Sequence, residues 1–232
     1  MEISGARRGP EASGVADASL ASAVEGRAPL RGGVPKRAFD LGVSAIALVL
    51  LSPSFLVVAV LIRMTSAGPV FYRQERVGRG GRVFRIWKFR TMVSDADRLG
   101  PKVSPGNDPR ITRVGAALRR WYVDEFPQLL NVLAGQMSLV GPRPESPEYA
   151  AMYTPSERRV LEVRPGIVGP STLGHMDETD VLSGVGDPQA HYVEHILHDR
   201  VRLDLEYLDR CSVGFDVRFL ARQAWAIVRH GR

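Results

Sequence analysis

The stretch LGVSAIALVLLSPSFLVVAVLI, residues 41–62, governs how the rest of the chain is read, because its 22 residues carry no charge. As a straight helix it would reach ~33 Å, enough for the hydrocarbon core of a bilayer. The alternative, a core helix of a soluble protein, needs equally apolar partners to enclose it, and no other segment supplies them. Whether the helix crosses is a separate question. Lys36 and Arg37 precede it and Arg63, Arg73, Arg76 and Arg79 follow it, so the positive-inside rule places both ends on the cytoplasmic side. Ser52-Pro53 stands at its midpoint, where the proline lacks the N–H that would bond the carbonyl of Val49 and favours a kink. A helix that enters, bends and returns satisfies both observations. Prolines also occur in true spans, so the residues alone leave spanning open.

Outward from this segment, the charge is unevenly placed. The chain of 232 residues has 31 Lys and Arg against 25 Asp and Glu, a formal charge of +6 and a pI near 9.9. Residues 1–35 are balanced, with 4 basic and 4 acidic groups; residues 63–120 hold 14 basic groups against 4 acidic ones. A basic block beside a membrane segment fits anionic lipid, nucleic acid or a phosphorylated substrate. Residues 1–35 are rich in Ala, Ser, Gly and Arg without a sustained apolar period, and read as a disordered tail. The charged flank and the apolar run come too late for a signal peptide. The single cysteine, Cys211, excludes a disulfide framework and a cysteine-based zinc site, as expected for a chain facing a reducing compartment.

Downstream, residues 68–92 place strand formers on either side of Gly78, Gly80 and Gly81 and predict a β-hairpin. Residues 95–110 read as loop, and Ile111 to Val123 has helical spacing. Pro127 ends or kinks that helix at Asp124-Glu125-Phe126-Pro127, a second short helix follows to Gly135, and residues 138–145 read as a rigid loop. A short helix from Glu157, a turn at 164–166, a loop over 171–188 and two amphipathic helices over 191–209 and 215–229 complete the chain. The last helix gathers Arg218, Arg222 and Arg229 beside Trp225, which suits a membrane surface. The class is α+β and mostly helical. Three parts are expected: tail 1–35, membrane helix 36–64 and a cytosolic domain 65–232.

An acidic pair is usually a solvated edge, but Asp124-Glu125 lies at a helix break beside the basic block. Cationic neighbours keep a carboxylate ionised and nucleophilic, and arginines bind diphosphates bidentately. That combination suggests phosphoryl-group chemistry with Mg²⁺. The GxxxxGK[ST] and GxGxxG nucleotide loops are absent. His191, His195 and His198 share helical spacing but have no carboxylate or cysteine set to complete a metal site.

Read together, KRAFD (36–40), the apolar run broken by Ser52-Pro53, GPVFYRQERVGRGGRVFRIWKFRTM (68–92), RRWYVDEFPQLLNVLAGQMSLVGPRPE (119–145) and VRPGIVG (163–169) resemble the bacterial sugar transferases. These are the small monotopic polyprenyl-phosphate phosphoglycosyl transferases. The resemblance implies attack by Asp124 on the sugar-bearing phosphate of a nucleoside diphosphate sugar, with uridine the expected nucleoside. The phosphosugar then passes from the aspartate to undecaprenyl phosphate, at the cytoplasmic face of the inner membrane. It also implies that Glu125 binds Mg²⁺, that Lys88, Arg90, Arg119 and Arg143 hold phosphate or support the site, and that Pro53 makes the helix re-entrant. Lys36, Arg37, Asp40 and Ser52 match the structural residues around that helix. The implied partners are the nucleotide sugar, undecaprenyl phosphate and membrane lipids, with no nucleic acid, and a homodimer stays open. Phe126 replaces the usual Leu, and residues 170–175, PSTLGH, depart from the Trp-Ala-Gln run common in the family, so sugar preference does not carry over. The competing expectation is a noncatalytic, membrane-tethered basic module that binds acidic lipid or nucleic acid.

Overall fold

Helix α1, Gly33–Thr65, continues through Pro53. The structure is a computed structural model and describes residues 33–100, 108–174, 181–182 and 184–230. The expected tail therefore falls outside the described residues up to position 32, while Gly33, Val34 and Pro35 open α1. The Val49 carbonyl, deprived of its amide partner by Pro53, accepts from the Ser52 hydroxyl at 2.8 Å, and the Leu51 carbonyl accepts from Ser54 at 2.7 Å. Such back-bonding satisfies carbonyls where water is scarce.

Although apolar all round in composition, α1 is two-faced in packing. Phe39, Val43, Ala47 and Leu51 pack on a cluster around Leu129, Tyr207 and Phe219. Phe55, Val58 and Ile62 pack on a second cluster around Phe89 and Leu118. Spacings of three and four keep these side chains on one helical face. The other face, including Ile46, Val49, Leu50, Leu56, Val57 and Met64, is exposed. Among the described residues, this is the one helix long and apolar enough to cross a membrane.

The amino end of α1 is tied into the domain by charge. Lys36 Nζ donates to Asp216 Oδ2 at 2.5 Å and to the Val140 carbonyl at 3.1 Å. Arg37 Nη1 donates to the Val132 carbonyl at 2.8 Å, and Asp40 Oδ2 accepts from the Ser138 hydroxyl at 2.8 Å. Read from sequence as a basic flank, Lys36 and Arg37 thus also donate to carbonyls at a strand end and a helix end.

Strands β1 (Phe71–Val77) and β2 (Val83–Phe89) pair antiparallel, Phe71 opposite Phe89 and Val77 opposite Val83, around the 3₁₀ turn Arg79–Gly81. Helix α2 is Arg113–Arg120, capped by the Thr112 hydroxyl, which accepts from Gly115 N at 2.9 Å. A 3₁₀ turn, Val123–Gln128, leads into α3, Leu129–Leu133. Three corrections follow, the first being that residues 95–110, expected as loop, hold a short helical turn, Ala96–Leu99. Residues 138–145, expected as loop, begin with β3 (Ser138–Val140), which pairs in parallel with β4 (Gly166–Val168). Helix α4, Pro170–Gly174, occupies the start of the expected 171–188 loop, and part of that loop lies outside the described residues. Both strands are three residues long and β3 is wholly buried, so neither has the alternation that marks a strand in sequence. Helix α5, Leu197–Arg210, is entered through a π-helical turn, Tyr192–Ile196, and α6 is Val213–His230.

The loops after β3 and around β4 touch backbone to backbone. A Cβ on Gly166 would stand 2.1 Å from Gly141 N, and one on Gly169 2.1 Å from the Gly141 carbonyl oxygen. Glycine is required there for close approach, which gives GPRP and VRPGIVG a packing reason.

Removing one partner of a buried ion pair leaves the other charge uncompensated. Lys36→Met is expected to lower the melting temperature by roughly 6–12 °C, and adding Asp216→Asn to recover part of the loss. Thermal unfolding in detergent checks this; a single variant that melts with the wild type would show that these ties contribute little.

Candidate active site

Three segments distant in sequence meet at Asp124-Glu125. Strand β2 presents Lys88 near its end. Tyr122, with φ of 55°, closes α2 in the left-handed region, and the 3₁₀ turn that follows turns both acidic side chains inward. The segment leaving β3 carries Arg143. Asp124 is 8% exposed and Glu125 7%.

Glu125 is clamped. Its Oε1 accepts from Lys88 Nζ at 2.8 Å and from Arg143 Nη2 at 3.0 Å. Among the described residues its Oε2 has only a long contact of 3.5 Å to Arg143 Nη1. Burial would raise the pKa of this carboxyl, but Arg143 and Lys88, by charge and by hydrogen bonds, hold it well below the usual carboxylate range.

Asp124 is placed differently. Among the described residues its carboxylate makes no hydrogen bond and no ion pair, although Lys88, Arg119 and Arg143 act on it through space. Burial pushes its pKa up, the neighbouring Glu125 charge adds to that, and the three cations oppose it. The pair therefore contains one carboxylate immobilised as an anion and one left with its oxygens uncommitted. An uncommitted carboxylate within reach of cations is suited to attack an electrophile that carries negative charge.

The remaining residues singled out in the sequence fall into two groups. Arg119 stands beside the dyad, its Nε donating to Thr91 Oγ1 at 2.9 Å. Gly115 lets α2 come this close, since a Cβ there would lie 1.9 Å from the Thr91 carbonyl oxygen. Arg90 turns the other way: its Nη2 donates to the carbonyl and the hydroxyl of Ser66, both at 2.8 Å, where α1 ends. Lys36, Arg37 and Asp40 stand at the start of α1, and Ser52 and Pro53 at its middle.

Asn131 is a positioning residue that sequence reasoning missed. Its Oδ1 accepts from Trp87 N at 2.9 Å and its Nδ2 donates to the Arg85 carbonyl at 2.9 Å, so one amide extends the β2 edge. This bolts the strand that carries Lys88 to the helix that follows Glu125. The available signal was a lone amide inside the apolar run QLLNVL.

Among the described residues no group of three or more His, Cys, Asp and Glu is gathered as a metal cage. The His191 and His195 rings lie 4.6 Å apart at a tilt of 52°, whereas His198 Nδ1 turns to Glu157 at 2.7 Å. A Mg²⁺ ion held by one or two carboxylates together with substrate phosphates needs no such cage. The dyad fits that pattern, because Oε2 of Glu125 and both oxygens of Asp124 retain acceptor capacity.

Opposite stability effects are expected from the two acids. Asp124 has a raised pKa in the folded state, so it costs stability once pH rises through that value, and Asp124→Asn should raise the melting temperature at pH 7.5 by about 2–4 °C per kcal/mol relieved. That gain should be smaller at pH 4, closer to the range in which the wild-type carboxyl takes up a proton. Glu125 has a lowered pKa and stabilises the fold above its ordinary titration range, so Glu125→Gln, which leaves Lys88 facing Arg143, should lower the melting temperature at pH 7.5. Calorimetry of both variants at the two pH values checks the signs.

Residues 32–230 match the bacterial sugar transferase family. The chain is 38% identical over 194 residues to the UDP-glucose:undecaprenyl-phosphate glucose-1-phosphate transferase of Escherichia coli K12, covering 80% of this chain and 38% of that protein. It is 40% identical over 194 residues to the exopolysaccharide production protein PSS of Rhizobium leguminosarum bv. phaseoli, covering 81% and 92%. Identity to the UDP-N-acetylgalactosamine-undecaprenyl-phosphate N-acetylgalactosaminephosphotransferase of Aeromonas hydrophila is 38% over 185 residues, covering 78% and 41%. The chain thus spans about two fifths of the first and third relatives and nearly all of the second. With the clamped glutamate and the uncommitted aspartate lying inside the matched region, this chain belongs to the bacterial sugar transferase family.

Proposed function

We propose that the protein transfers a sugar 1-phosphate from a nucleoside diphosphate sugar, with uridine as the nucleoside, to undecaprenyl phosphate, and so begins assembly of a surface polysaccharide or glycoconjugate. The observation that carries this reading is the division of labour in the dyad: Glu125 engaged by Lys88 and Arg143, Asp124 buried and uncommitted. In the first step an Asp124 oxygen forms a bond to the phosphorus that bears the sugar. The bridging P–O bond breaks, and the nucleoside monophosphate leaves with the electron pair. In the second step an oxygen of undecaprenyl phosphate attacks the same phosphorus, the aspartyl bond breaks, and the carboxylate is restored. Lys88, Arg119 and Arg143 offset the charge that gathers on the transferred group. When bound at Glu125 and the diphosphate, Mg²⁺ would add neutralising charge.

The lipid acceptor requires a membrane site, and α1 provides the surface for it. Its inner face packs on the domain both before and after Pro53, and its ends are tied at Lys36 and, through Ser66, at Arg90. A helix crossing a bilayer would leave ~30 Å of chain without such support and carry one end to the far side. This favours a re-entrant α1, with residues 65–232 as the catalytic domain on the cytoplasmic face. Exposed Val217, Trp225 and Val228 on α6 suit the same interface.

Incubation of purified protein with radiolabelled nucleotide sugars and undecaprenyl phosphate tests the chemistry. Wild type should yield a lipid-linked product and the nucleoside monophosphate, while Asp124→Asn should lose at least a thousandfold in turnover; equal turnover in the asparagine variant would remove the covalent mechanism. Because Asp124 acts as an anion with a raised pKa, the acid limb of kcat/KM should lie above the ordinary carboxylate range, which a pH profile checks. Topology is tested by a cysteine at Ser13 and an impermeant maleimide: labelling should require cell lysis, and labelling of intact cells would show a spanning helix.

A further inference from the structure

Outside the dyad, the buried carboxylate with the most neighbours that matter to the site is Asp204, 4% exposed on α5. Its Oδ2 accepts from the backbone N–H of Arg143 at 2.9 Å and from the Ser171 hydroxyl at 2.8 Å, and its Oδ1 accepts from Ser171 N at 3.0 Å. One carboxylate thereby holds the residue whose guanidinium clamps Glu125 and the first turn of α4. The backbone beside it is tightly packed, since a Cβ on Gly169 would stand 2.1 Å from the Gly141 carbonyl oxygen. Arg200 is the cation that acts on Asp204.

We propose that Asp204 is a positioning residue for the transferase site: it fixes the backbone of Arg143 so that the guanidinium meets Glu125, and docks the Pro170–Gly174 turn beside that clamp. The inference rests on the transferase reading for its kinetic consequence, and on hydrogen-bond geometry alone for its structural one. A guanidinium reaching a carboxylate at 3.0 Å tolerates little drift at its own Cα, and the N–H bond to Asp204 is what stops that drift. Burial pushes the Asp204 carboxyl up to about 6, and the Arg143 and Ser171 donors with Arg200 counter that rise. The turn docked by Asp204 is also where the sequence departs from the common family run, and it is held by a residue on a helix more than thirty positions further along the chain.

The test is a double-mutant cycle with hydrogen exchange. Asp204→Asn, which keeps shape but replaces an acceptor oxygen with an N–H₂ donor, should lower kcat/KM per folded molecule at least tenfold, and less than twofold when Arg143 is already alanine. Additive losses, or a lowered melting temperature with unchanged kcat/KM, would reduce Asp204 to a general structural role and overturn the proposal. If the asparagine variant does not fold, Asp204→Glu, which keeps the charge and displaces it by one methylene, is put through the same cycle with the same criterion. Amide exchange separates this inference from the transferase reading: without any substrate, the Arg143 and Ser171 amides should exchange at least tenfold faster in the variant while β1 and β2 stay protected. Wild type inactive with every nucleotide sugar would defeat the reading of function, and unchanged exchange at those two amides would defeat the role of Asp204.

Discussion

Two adjacent carboxylates cannot be buried together unless something offsets their lost hydration and mutual repulsion. An effective penalty of several kcal/mol per buried ion is matched only by close cations, each worth about 4 kcal/mol at 4 Å for an effective dielectric of 20. Glu125 receives two such partners, Lys88 and Arg143, at hydrogen-bond distance. Asp124 receives their field without a bond. The fold thus satisfies one acid and leaves the other strained, and the arrangement of β2, the 123–128 turn and the 141–143 segment depends on that imbalance. Such unequal treatment of two like groups is how a protein gives them different roles.

The scaffold around the dyad is stiffened by polar side chains acting in place of secondary structure. Asn131 lends β2 a second set of strand bonds on the edge away from β1, and Asp204 joins the segment leaving β3 and the first turn of α4 to α5. Backbone contact among Gly141, Gly166 and Gly169 removes the space in which those loops could shift. With β3 and β4 only three residues long, these side-chain ties do what a longer parallel sheet would otherwise do.

Helix α1 belongs to the domain's core as much as to any membrane. Its inner residues complete two hydrophobic clusters, and Lys36, Arg37 and Asp40 engage backbone or buried carboxylates near β3 and α3. Helix α1 thus contacts β3 directly, and β3 leads into the segment bearing Arg143. The outer face of α1 and the dyad are thus joined by one continuous packing.

Composition and order of residues were enough to reveal the apolar helix, the strands flanking three glycines, the helix break at Pro127 and the acidic pair beside a basic block. Each of these is a local property, set by hydropathy, by proline's missing N–H or by glycine's missing side chain. The motif order likewise marked Lys88, Arg119 and Arg143 beside the dyad. What sequence could not disclose was which cation meets which acid: Arg90 and Lys88 are two residues apart, yet one reaches Ser66 and the other Glu125. Nor could it distinguish Lys36 as a buried tie from Lys36 as a basic flank, find β3 and β4 without alternation, or show Asp204 beneath Arg143 from 61 positions away. Those outcomes are decided by long-range hydrogen bonds and by the unequal desolvation of neighbouring charges, which exist only once distant segments are packed together.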